Sequence, residues 1–155
     1  MNPLNLIIGI GNRARGDDAA GLEVARRLMA TSLHGWEIRE TDGEPTKLME
    51  MWNGRESVIA VDAVVTGVAP VGTVYQWDAS EIPLPTCGHV SSSHALGLSE
   101  AIELARALNQ LPPKVRVIGI EGASYGMSEN ISPAVDQAIG DVVKKLRQEI
   151  GAENA

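Results

Sequence analysis

The sequence predicts an α/β fold, a three-layer sandwich on a mainly parallel, twisted, five-stranded sheet with one antiparallel edge strand. Three observations predict it. Short apolar runs rich in β-branched residues, such as Leu6-Ile7-Ile8-Gly9-Ile10 and Val58-Ile59-Ala60-Val61, have the composition of strands buried on both faces. Between them lie segments whose apolar residues recur at helical spacing, as Leu22, Ala25, Leu28 and Met29 do after the first run. One connection, Thr66-Gly67-Val68-Ala69-Pro70, is too short for a crossover helix, so the strand after it is expected to return antiparallel.

With 155 residues the chain has room for one domain, which should bury about two thirds of its unfolded surface. Its formal charge of −7, with scattered Lys and Arg, argues against nucleic acid or an anionic membrane as partner. No apolar run approaches the length of a membrane span. A single cysteine, Cys87, and a beginning without a basic then apolar leader lead us to expect a cytoplasmic protein.

Element by element, the first strand is followed by a helix expected from Asp18 to about Ser32, with Arg26 and Arg27 at its carbonyl end. Trp36 to Glu40 alternates as a second strand and ends at Thr41-Asp42-Gly43. Pro45 then starts a short helix whose apolar face is Leu48, Met49 and Trp52. The third strand, Ser57 to Val65, carries an acid, Asp62, in its middle. Val71 to Trp77 is expected to pair antiparallel with that strand as an edge. Asp78 to Ser93, with Pro83, Pro85 and Gly88, lacks any period and reads as a loop. His94 to Leu108 makes an amphipathic helix through Leu98, Ala101, Ile102, Ala105 and Leu108, with a serine of Ser91 to Ser93 as its cap. Val115 to Glu121 is the last strand. Ser132 caps and Pro133 opens the final helix, whose face is Val135, Ala138, Ile139, Val142, Leu146 and Ile150.

Parallel strands deliver their C-terminal ends to one edge of the sheet, where open α/β folds bind ligands. Asp18 follows the first strand, Asp62 lies near the end of the third, and His94 opens a helix that can reach the same edge. Two carboxylates and an imidazole form a ligand set suited to zinc or nickel, and three protein ligands leave positions open for exchangeable partners. Each residue also has a plainer reading. Asp17 and Asp18 at a helix start could serve only the dipole, and His94 could be a solvated first-turn residue. Asp62 resists the plain reading, because an acid inside an apolar strand costs several kcal/mol unless it is paired, hydrogen-bonded or bound to a cation.

Rival signals are weaker. Gly9-x-Gly11-x-x-Ala14, with Glu37 or Glu40 downstream, matches a relaxed dinucleotide fingerprint, but Asp17 and Asp18 would crowd a pyrophosphate with negative charge. Gly122-x-Ser124-x-Gly126 matches a nucleophile elbow, yet no histidine follows it. Cys87, His89 and His94 fit no standard zinc spacing, and His34 beside Gly35 reads as a turn residue.

Taken in order, Gly9-Ile10-Gly11-Asn12, Asp17-Asp18 with Gly21, Asp62-Ala63, His94-Ala95-Leu96-Gly97-Leu98 and Ile131-Ser132-Pro133 resemble the hydrogenase maturation endopeptidases over nearly the whole chain. The resemblance implies a protease that removes a C-terminal extension from the precursor of a nickel-iron hydrogenase large subunit after nickel insertion. It implies Asp18, Asp62 and His94 as the metal-contacting positions, nickel arriving with the precursor, and that precursor as partner. Asp42-Gly43 is expected to help hold the precursor, and Asp78 to Ser93 to act as a flap. No His-Glu-x-x-His segment of an ordinary zinc protease is present. The chain departs from the family's pattern at Ala19, Glu44 and Gly122, where glycine, glycine and proline are common, and carries Asp18 where some relatives have glutamate. A nucleotide-binding module, a non-catalytic binder of a hydrogenase subunit and a peptidase for another precursor stand as the competing classes.

Overall fold

The computed structural model describes residues 3–12, 16–31, 33–82, 93–123 and 130–153, and of residues 93–96, 152 and 153 the backbone alone. Strand β1 (Asn5–Ile10) leads through a 3-10 turn (Gly16–Ala19) into helix α1 (Ala20–Met29). Strand β2 (Trp36–Thr41), helix α2 (Pro45–Trp52) and strand β3 (Ser57–Val64) follow. Strand β4 (Val74–Asp78), helix α3 (Ser93–Ala107), strand β5 (Lys114–Glu121) and helix α4 (Pro133–Glu153) complete the described elements. The strands form one sheet in the order β2-β1-β3-β5-β4. β2, β1, β3 and β5 are parallel and β4 is antiparallel to β5, so the expected architecture holds.

Side chains alternate across each strand and divide the core into two layers. Ile7, Ile59, Val61, Ile118 and Ile120 face α1 and α4, meeting Val24, Leu28, Val135, Ile139 and Leu146. Leu6, Ile8, Ile10, Val58, Ala60, Val115 and Val117 face α2 and α3, meeting Leu48, Trp52, Leu98 and Ile102. Helix α2 starts as expected at Pro45, whose missing N–H costs nothing there. The side chain of Glu44 caps it by accepting from Thr46 N and Lys47 N, each at 3.1 Å. Glu44, one of the departures from the family's pattern, thus has a local structural role.

Several expectations need correction. β4 pairs with β5 and not with β3. Val115 and the run Val117 to Ile120 are buried, and β5 takes the inner place beside β3, while the connection between β3 and β4 passes beyond it. The entry to β4 is fastened to β5 by Gly72 N donating to Glu121 O and Glu121 N to Thr73 O, both at 2.8 Å. Helix α1 begins at Ala20, because Gly16, with φ of +54°, leads into a 3-10 turn that holds Asp17 and Asp18. Met29 and Leu108, expected on helix faces, are about half exposed at 47% and 52%: Met29 is the last residue of α1 and Leu108 the first after α3. The proposed flap is anchored at its start, where Ala79 N donates to Val115 O and Arg106 donates to the carbonyls of Ala79 and Ser80. Its residues 83–92, Cys87 and His89 among them, lie outside the described residues. Among the described residues no helix is long and apolar enough to cross a membrane.

A close backbone junction lies at Gly21 in α1. A Cβ there would stand 2.2 Å from Val61 O and 2.4 Å from Ile10 O, so the helix backbone lies directly on β1 and β3. Gly21→Ala should therefore destabilise the protein by about 3 kcal/mol, the upper end of ordinary overpacking. Urea unfolding of the variant checks this, and a midpoint equal to wild type would contradict it.

Candidate functional site

The four parallel strands end at Ile10, Thr41, Val64 and Glu121, and the segments that follow them lie along one edge of the sheet. Asp18 stands in the 3-10 turn after β1 and is 1% exposed. Its carbonyl accepts from Asn12 N at 3.3 Å and lies 2.2 Å from where a Cβ on Gly11 would be, which pins the turn against the end of β1. Asp62, the sixth residue of β3, is 2% exposed, and its Oδ1 accepts from Ala63 N at 2.8 Å. Val58 and Ala60 belong to the layer under α2 and α3, so by alternation Asp62 is on that same face of the sheet.

His94 is the second residue of α3, and its side chain lies outside what the structure describes. One turn on, a Cβ on Gly97 would lie 2.4 Å from Gly43 O, so the start of α3 rests on the Asp42-Gly43 bend after β2. Asp18 thus follows β1, Asp62 lies two residues before the end of β3, and α3, which carries His94, meets the bend after β2 at Gly97. Among the described residues no three His, Cys, Asp or Glu side chains form a metal-binding group.

Asp42 is exposed and serves the start of α2. Its Oδ1 accepts from Glu44 N at 3.1 Å and its Oδ2 pairs with Lys47 Nζ at 2.9 Å. The hydrogen bond from Lys47, then that from the Glu44 amide, hold its carboxyl below the usual range. Gly43, with φ of +89°, makes the bend that lets α3 approach. Beside them a depression of about 290 Å³ is lined by Arg39, Glu40, Thr41, Asp42, Lys47, Glu50 and Met51.

Two further buried carboxylates at this edge, Asp17 and Glu121, have roles that the sequence does not reveal. Asp17, 4% exposed, accepts from Ala123 N at 3.0 Å, Ser132 N at 2.7 Å and Ser132 Oγ at 3.0 Å. It is thus committed to the segments after β5 and before α4, and not to the dipole of α1. Ser132 does start α4, its carbonyl accepting from Asp136 N, while its hydroxyl turns to Asp17. Glu121, 1% exposed, receives Thr66 N at 2.8 Å, Thr66 Oγ1, Gly67 N at 3.4 Å and Tyr75 OH at 2.8 Å. Burial pushes its carboxyl up, but the hydrogen bonds from Thr66, Tyr75 and Gly67 outweigh it and leave the pKa lowered. An acid within an apolar strand is the signal that singles out Asp62, and the acid ending the apolar run Val117 to Ile120 could have pointed to Glu121 by the same cost of burial.

The nucleotide signals dissolve in the geometry. A Cβ on Gly9 would meet Gly21 O at 2.3 Å, and Gly11 N donates to Thr41 O, so these glycines serve backbone packing and not phosphate approach. Glu37, near the start of β2, is paired with the buried Arg55, which also donates to Pro3 O and Met51 O at the opposite end of the sheet. His34 is exposed in a turn, and Ser124 lies outside the described residues.

An open α/β sheet with buried carboxylates gathered at the C-terminal ends of its parallel strands defines the class of protein. Comparison with known proteins then supplies the family. The hydrogenase maturation protease family model matches residues 22–149. The chain is 29% identical over 151 residues to the hydrogenase expression/formation protein HupD of Rhodobacter capsulatus, covering 92% of this chain and 70% of the relative. It is 24% identical over 149 residues to the hydrogenase 2 maturation protease of Escherichia coli K12, covering 92% and 90%. Among solved structures it is similar to the hydrogenase maturating endopeptidase HybD from E. coli, with a TM-score of 0.78 at 22% identity over 96% of this chain and 92% of that one. The HybD maturation protease from Thermococcus kodakarensis gives 0.76 at 23% over 94% and 97%. The chain belongs to the hydrogenase maturation protease family and is a peptidase of that type.

The Glu121 cluster yields a pH prediction. A carboxyl held low in the folded state contributes stability that is present above its unfolded pKa and lost as pH falls through the folded value. Glu121→Gln should cost about 2 kcal/mol near pH ~7, in the range for hydrogen bonds to a charged group, and the gap from wild type should shrink towards pH ~3. Denaturant unfolding across that range checks it, and a pH-independent gap would contradict it.

Proposed function

We propose that this peptidase removes the C-terminal extension of a nickel-iron hydrogenase large-subunit precursor after nickel insertion, using the precursor's own nickel as the recognition signal. The observation that supports the reading is the burial of both Asp18 and Asp62 at the C-terminal ends of β1 and β3, on the edge where α3, three residues after His94, rests on Gly43 through Gly97. Those three side chains would complete the coordination of the incoming ion, a role suited to two carboxylates and an imidazole that leave positions open to the client. Nickel is then part of the substrate and is not a permanent cofactor. Recognition and licensing become one event, because a precursor without metal offers the site nothing to hold.

Nickel so held can polarise the scissile carbonyl or acidify a water, and a carboxylate of the site can take the proton. Cleavage adds one water across the peptide bond and releases the tail. The Asp42-Gly43 bend, beside the start of α3, would help hold the precursor. The formal charge of −7 would favour a basic tail. We place this activity in the cytoplasm, with neither nucleic acid nor membrane as partner.

Incubating the protein with nickel-loaded and nickel-free precursor tests the reading by loss of the tail. Only the loaded form should be cut, and equal cutting of both would overturn the licensing role. Asp62→Ala and His94→Ala should each lower processing at least 100-fold while unfolding like wild type, the scale expected for removing a group that acts directly on the reacting centre.

A further inference from the structure

Asp17 stands next to the candidate ligand Asp18, and its two carboxylate oxygens are directed elsewhere. Oδ1 receives Ser132 N at 2.7 Å, and Oδ2 receives Ser132 Oγ and Ala123 N, each at 3.0 Å. The group is 4% exposed, and its Cβ lies 3.0 Å from where a Cβ on Gly122 would stand. These partners belong to two separate segments, one leaving β5 and one entering α4. The 3-10 turn is therefore tied at Asp17 to the far side of the edge, in addition to its tie through the Asp18 carbonyl to Asn12.

We infer that Asp17 is a positioning residue, its bond to Ser132 fixing where the adjacent carboxylate of Asp18 stands. The inference rests on the reading of Asp18 as a metal-contacting residue. A one-residue separation in a short turn leaves little freedom between the two side chains, so loosening Asp17 moves Asp18 directly. Groups that orient a ligand without touching the ion commonly change metal affinity or activity 10- to 100-fold when removed. Gly122 fits the same picture, since it adjoins both Glu121 and Ala123 and leaves room for the Asp17 side chain. Neither Asp17 nor Ser132 needs to contact the ion or the client.

Ser132→Ala removes the hydroxyl donor and keeps the amide, and Ser132→Thr keeps both. Nickel(II) binding to each full-length variant, followed by calorimetry alongside urea unfolding, reads the effect. Ser132→Ala and Asp17→Asn should weaken nickel(II) about tenfold, the lower end of the usual range for such orienting groups, and Ser132→Thr should restore it. If Asp17→Asn fails to fold, the Ala and Thr pair still decides. Asp18→Ala serves as reference. Should Asp18→Ala bind nickel(II) like wild type, the underlying ligand reading is wrong. Should Asp18→Ala abolish binding while Ser132→Ala binds like wild type, the positioning role alone is overturned.

Discussion

The arrangement of the edge depends on the backbone contact between α1 and the two strands beneath it. Gly21 lies against the carbonyls of both Ile10 and Val61, so the helix seats over the seam between β1 and β3. That seat fixes where the preceding turn must cross. The turn carries Asp17 and Asp18, and the second strand of the seam carries Asp62 one residue beyond Val61. A helix held further out by a side chain would lift the turn away from the strand ends. Backbone proximity, more than any side-chain contact, sets the spacing of the two candidate ligands.

Four carboxylates, Asp17, Asp18, Asp62 and Glu121, are buried near this edge, at exposures from 1% to 4%. Burying so many acids is costly unless each is compensated. Asp17 and Glu121 are compensated by donors from neighbouring loops, which makes them cross-braces between segments. Glu121 holds the exit of β3 through Thr66 and Gly67, four and five residues past Asp62. Asp17 holds the exits of β5 and the entry of α4. The two braces are close in the chain, at Glu121 and Ala123, and tie the exits of β3 and β5 to the turn that carries Asp18. Bracing of this kind limits the motion of the segments it joins, which is what pre-organised coordination requires.

Much of this was legible in the chain itself. The apolar runs showed the strands, the helical spacing showed α3 and α4, and parallel order alone sent Asp18, Asp62 and His94 towards one edge. What escaped was non-local. The strand order could not be read, because whether β4 joins β3 or β5 depends on which neighbour competes for the ladder, and local periodicity carries no such information. The role of Asp17 was hidden because its partner Ser132 lies 115 residues away. Glu37 looked available as a ribose acid until Arg55, 18 residues on, was found beside it. The start of α1 differs from expectation because a 3-10 turn intervenes, and acids in that turn resemble those that favour a helix N-terminus.

The claim on which the account turns is that Asp18, Asp62 and His94 grip one transition ion. Anomalous diffraction from crystals soaked in nickel(II) measures this directly. The account predicts one peak bonded to carboxylate oxygens of Asp18 and Asp62 and to an imidazole nitrogen of His94, at about 2.0 to 2.2 Å. A peak held by other residues, with the His94 imidazole directed away from both carboxylates, would contradict it.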